Sequence, residues 1–76
     1  MSRLLQMARL AASQFVGEVD LEHAGTLSTG EQVFSAPHHD GPVVVTINPN
    51  GLRAGVEWAS GYKVCHVGKK IDGGGP

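Results

Sequence analysis

The sequence has one cysteine, few charges, and no apolar run near the roughly 20 residues that a membrane-spanning helix needs. The lone thiol, Cys65, excludes an intrachain disulfide framework and, by itself, a cysteine-rich zinc site. Charged residues make up 17% of the chain and the formal net charge is −1, which argues against a nucleic-acid binder held by bulk charge. The phosphate-cradling patterns GxxxxGK[ST] and GxGxxG are absent, and so are the metal spacings HExxH and CxxC. What is present is 76 residues, 41% of them hydrophobic, enough for a single small domain with a thin core. A soluble, cytoplasmic domain over residues 1–72 is expected, followed by a flexible tail at 73–76 (Gly73-Gly74-Gly75-Pro76). The terminal Pro76 and the leading helix both depart from the Gly-Gly-ended ubiquitin-like carriers, so no family is identified.

Residues 2–16 read as an amphipathic helix, with Ser2 as N-cap and Gly17 as the C-terminal stop. Leu4, Ala8, Ala11 and Phe15 follow helical spacing, flanked by Leu5, Met7, Ala12 and Val16. Arg3, Gln6, Arg9, Ser13 and Gln14 fall on the other side, together with Leu10. The segment has the Arg, Ser and missing acids of an organelle presequence. Its removal, however, would strip the strongest helix from a chain near the minimum size for folding.

Charge is unevenly spread. Residues 17–42 carry Glu18, Asp20, Glu22, Glu31 and Asp40 with no Lys or Arg, an acidic stretch between two mildly basic ones. In it, Thr29-Gly30 is read as the turn of a short hairpin with strands near 26–28 and 31–35, and Ala36–Pro42 as a loop. Farther on, Val43-Val44-Val45-Thr46-Ile47 is a β-branched run that predicts a strand. Turn chemistry at Asn48-Pro49-Asn50-Gly51 and at Ser60-Gly61 then predicts an antiparallel meander over 43–48, 52–59 and 62–68. The expected fold is α+β, an N-terminal amphipathic helix packed on a 3–5-stranded antiparallel β-meander.

These turns set a register: Ile47 opposite Arg53, Val44 opposite Val56, Trp58 opposite Lys63 and Val56 opposite Cys65. One sheet face then holds Val44, Thr46, Ala54, Val56, Trp58, Cys65 and Val67, with Lys63 lying over the Trp58 ring. The other holds Val43, Val45, Ile47, Tyr62 and Val64 among Arg53, Gly55, Glu57, Ala59 and His66. A single helix covers only one face. The second must be covered either by residues 18–42 folding back to close a small barrel or lie over it, or by another chain.

Two clusters suggest chemistry. His38-His39-Asp40, with His23, Cys65 and His66 elsewhere, could supply metal ligands, although no ligand spacing is present and a solvated loop explains the same residues. Lys63, Lys69 and Lys70 near Trp58 and Tyr62 could hold a single-stranded nucleic acid, or be a solvated strand end. No nucleophile, base and oxyanion pocket can be assembled, and Gly25-Thr26-Leu27-Ser28-Thr29-Gly30 lacks the spacing of a nucleophile elbow. The expectation is a protein with no catalytic residues, cofactor or metal and no membrane or nucleic-acid partner. It would be a non-catalytic protein-binding module acting as a stoichiometric regulator or inhibitor of another protein, a form that phages and mobile elements encode. The alternatives are a homodimer using the second sheet face and a small metal- or single-strand-binding protein. The expected partner-binding residues are Glu18, Asp20 and Glu22 on the acidic stretch, and Val45, Ile47 and Tyr62 on the second sheet face.

Overall fold

The computed structural model describes residues 3–48 and 53–66. One helix is followed by five strands: α1 (Arg3–Ser13), β1 (Glu22–Thr26), β2 (Gln32–Ala36), β3 (Val43–Ile47), β4 (Arg53–Trp58) and β5 (Gly61–His66). The strands pair in chain order, each antiparallel to the next, as an open five-stranded meander with β1 and β5 at its edges. The helix lies across β3, with β2 and β4 to either side, so the fold is α+β.

The buried stripe of α1 is Ala8, Ala11 and Ala12, all fully covered. Their small side chains let the helix backbone come close to the sheet, and Leu4, Leu5, Met7, Phe15 and Val16 pack around the contact, partly buried. Leu10 is exposed on the far side, where its spacing puts it. The helix is shorter than the apolar pattern, because its last turn tightens. The Gln14 and Phe15 amides donate to the carbonyls of Ala11 and Ala12 at 3.2 and 3.0 Å, an i→i−3 pattern. Gly17 then takes a φ of +83°, the left-handed C-terminal stop the sequence predicts. The proposed N-cap, Ser2, lies outside the described residues.

The acidic segment does form a hairpin, but its first strand begins earlier than predicted. Glu22-His23-Ala24-Gly25-Thr26 has no β-branched run and only pairing with β2 makes it a strand, with a bulge between His23 and Gly25. The connection spans Leu27 to Glu31: the Leu27 amide donates to the Glu31 carbonyl and the Gly30 amide to the Leu27 carbonyl, both at 2.8 Å. Residues 22–36 thus widen the sheet edgeways. They do not fold back over its second face, and no barrel closes.

The faces of β3 are the reverse of those predicted. Val45 pairs with Val56, Ile47 with Ala54 and Val44 with Glu57, one residue out of the expected register. The cause is connection length. The Asn48 amide donates to the Arg53 carbonyl at 3.1 Å, which leaves four residues, 49–52, between paired positions instead of three. Val43, Val45 and Ile47 therefore face the helix and are fully buried, alongside Ala54 and Val56 from β4 and Phe34 and Ala36 from β2. Burial of each large β-branched side chain is worth about 1.5–3 kcal/mol, and the register adopted buries three such residues of β3 where the expected one would bury Val44 and Thr46.

The β4–β5 turn also moves. Trp58 pairs with Gly61, so Ala59-Ser60 forms the turn in place of Ser60-Gly61. This shifts the register by two residues, which keeps Val56, Trp58 and Cys65 on one side as expected. Gly61, not Lys63, now stands opposite Trp58. The indole stacks on Phe15 at 5.5 Å, and its Nε1–H donates to Ser60 Oγ at 3.0 Å.

Candidate protein-docking face

Tracing the strand pairs across the sheet defines its uncovered side row by row. At one end of the strands lie Glu22, Ser35, Val44, Glu57 and Tyr62. Gly25, Val33, Thr46, Gly55 and Val64 form the middle row. At the other end Arg53 pairs with His66, and one further step of the register adds Glu31 and Asn48, with Leu27 opposite Glu31. The four exposed large hydrophobics among the described residues are Leu10 at 61%, Leu27 at 46%, Tyr62 at 61% and Val64 at 45%. Three of these four belong to this face, Leu27 at its β1 edge and Tyr62 and Val64 at its β5 edge, interspersed with acidic, basic and neutral polar residues.

The face is not flat. Tyr62 reaches diagonally over Gly55, where a Cβ would fall 2.6 Å from the phenol oxygen. Glu31, Thr46, Arg53, Gly55, Tyr62 and Val64 border a shallow depression of about 280 Å³. Gly25 leaves a low point in the middle row, the space over Gly55 is filled by the Tyr62 phenol, and Val33 and Val64 stand up from the row. The Thr29 hydroxyl donates to Glu31 Oε1 at 3.3 Å, holding that carboxylate at the rim.

The six residues expected to bind a partner do not form one surface. Val45 and Ile47 are core residues under the helix and are closed to any partner, a consequence of the shifted β3 register. Glu18 and Asp20 are exposed and border a separate hollow with Arg9 and Val19 on the helix side of the molecule. Glu22 and Tyr62 do lie on the uncovered face, at its opposite edges. Val33 and Leu27 are missing from the sequence expectation, because Val33 comes to this face only through the β2–β3 pairing and Leu27 only through the β1–β2 pairing. That expectation places Val44 and Thr46 on the wrong side.

The other clusters are resolved as follows. His38, His39 and Asp40 sit in the β2–β3 connection, with their donor atoms within 4.8 Å of one another. The two imidazoles lie 4.2 Å apart and His39 Nε2 is 3.4 Å from Asp40 Oδ2. Three donors from consecutive residues of a mostly exposed turn can hold a divalent ion weakly, and His23, Cys65 and His66 are not part of the group. Cys65 faces the helix side and His66 the opposite side, so these strand neighbours point apart. Burial raises the Cys65 pKa, which disfavours a thiolate. Trp58 is enclosed by Phe15 and Gly61 and is not presented for base stacking, and Lys69 and Lys70 lie outside the described residues. No described helix is long and apolar enough to cross a membrane. No family model, curated protein or solved structure matches this chain.

Proposed function

We propose that the protein is a non-catalytic protein-binding module that works through the uncovered face of its sheet. The observation that carries this reading is the placement of Leu27, Tyr62 and Val64, exposed at the two edges of one face that the single helix leaves bare. Apolar side chains interspersed with charged and polar ones have the mixed composition of a non-obligate protein interface. Binding of this kind acts by occupancy, which fits a stoichiometric regulator or inhibitor. Among the described residues Cys65 and His66 point apart and the His38-His39-Asp40 turn is mostly exposed, which favours binding over catalysis.

The test is capture from an extract of the native cells by immobilised protein. Val64→Glu is expected to abolish capture while leaving the far-ultraviolet circular dichroism unchanged. Leu10→Glu, on the outer side of the helix, is expected to bind as the parent does. Capture that ignores Val64→Glu, or that Leu10→Glu removes, would show the working surface to lie elsewhere.

A further inference from the structure

We infer that the occupant of the uncovered face is a second copy of this chain, related by a two-fold axis running along β3. The inference rests on the reading of that face as a protein-docking surface and names what docks there.

The argument is self-complementarity. A two-fold along the central strand lays β2 of one copy over β4 of the other, and β1 over β5. In the middle row this sets Val64 against the open Gly25 of the second copy, and Val33 against the Tyr62 phenol that lies over Gly55, so one raised side chain enters a hollow and the other packs on a ring end. Thr46 and Val44, on the axis, each meet themselves. In the rim row Glu31 meets Arg53, one strand from the axis, where the roughly 30° rotation between packed sheets displaces side chains least. At the ends, Glu22 meets the near end of Tyr62, whose phenol leans inward over Gly55, and Leu27 meets His66. No two like charges are opposed. The net charge of −1 imposes little repulsion between copies.

The alternative two-fold, at right angles to the strands, is less well matched. It would set Gly25 against Gly25 and Val64 against Val64, stacking hollow on hollow and knob on knob, and would put Leu27 against Glu22.

Size sets the strength. Strands about 4.8 Å apart and residues about 3.4 Å apart give the face a flat area of about 400 Å². Two such faces, with side-chain relief, bury on the order of 1,000 Å², at the low end of specific interfaces. The dimer is thus reversible and concentration-dependent.

Sedimentation velocity on the full chain over a wide concentration range tests this. A monomer–dimer equilibrium is expected. Val64→Glu should remove the dimer, with circular dichroism reporting an intact fold. Glu31→Arg and Arg53→Glu should each weaken it about tenfold, and the two together should restore it to near the parent value. A chain that stays monomeric at every concentration overturns the inference; if capture from extract is still lost in Val64→Glu, the docking-face reading survives without it. A dimer indifferent to Val64→Glu points to pairing through the open edge of β1 or β5 and also overturns it. So does rescue of Arg53→Glu by Glu57→Arg in place of Glu31→Arg, which would reveal the other axis.

Discussion

On the helix side of the sheet Val43, Val45, Ile47 and Val56 are fully buried, whereas one position along the same strands Val44 and Thr46 are half-buried and Tyr62 and Val64 stand in solvent. Both faces are built from one hydrogen-bonded ladder and both carry β-branched residues, so strand propensity does not separate them. The separation comes from what lies above each. Ala8, Ala11 and Ala12 bring a helix down on one face, and the described residues place nothing on the other. The same kind of apolar side chain is therefore core on one side and partly or fully in solvent on the other.

The comparison is broken most directly by adjacent lysines on β3. Val45→Lys puts an ammonium into a site with no water, at a cost of several kcal/mol against a total stability of about 5–15 kcal/mol. It is expected to give an unfolded chain by circular dichroism. Val44→Lys, opposite Glu57 on the other face, is expected to change the urea-unfolding free energy by less than about 1 kcal/mol. A folded Val45→Lys protein would mean that β3 has slipped by one residue to the register its turn chemistry suggests.

A smaller effect sharpens the contrast at two glycines. A Cβ at Gly61 would fall 2.8 Å from Cζ2 of Trp58, a ring held by Phe15 and Ser60, so Gly61→Ala is expected to cost about 1–3 kcal/mol in urea unfolding. A Cβ at Gly55 would meet the outer end of the exposed Tyr62 side chain, which can swing away. Gly55→Ala is therefore expected to be neutral, or stabilising by about 0.5 kcal/mol through the lower backbone entropy of the unfolded chain. Equal costs at both positions would mean that the uncovered face is packed as tightly as the core.

The smallest expected effect is at Cys65, on the helix side near the sheet edge. Burial raises its pKa, so alkylation near neutral pH should be slower in the folded protein than in the urea-unfolded chain. The linked stability has a definite sign. The unfolded chain loses the thiol proton first, so this contribution is intact below the unfolded pKa and declines as pH rises toward the higher folded value. Equal alkylation rates in the two states would place Cys65 in solvent.

Much of this architecture is legible in the residues. The helical spacing of Leu4, Ala8, Ala11 and Phe15, the stop at Gly17 and the β-branched run at 43–47 each carry a local signal that the fold obeys. β1 carries none, since Glu22-His23-Ala24-Gly25-Thr26 is extended only because β2 offers it hydrogen bonds. The proposed docking face is half legible. Tyr62 and Val64 follow from the strand alternation of β5, but Val45 and Ile47 were assigned to that face on a turn one residue too short. A signal for the right answer exists within β3 itself: Val43, Val45 and Ile47 outweigh Val44 and Thr46 in apolar bulk, so the heavier parity belongs under the helix.

The sequence alone thus determined one amphipathic helix, a strand-rich second half and the class of fold, because these depend on spacing and turn chemistry within a few residues. Tertiary structure decided which side of β3 is core, that the acidic segment widens the sheet, and that Glu31 and Arg53 share one rim. Those outcomes depend on pairing between distant residues, where a one-residue difference in a connection exchanges every side chain between faces.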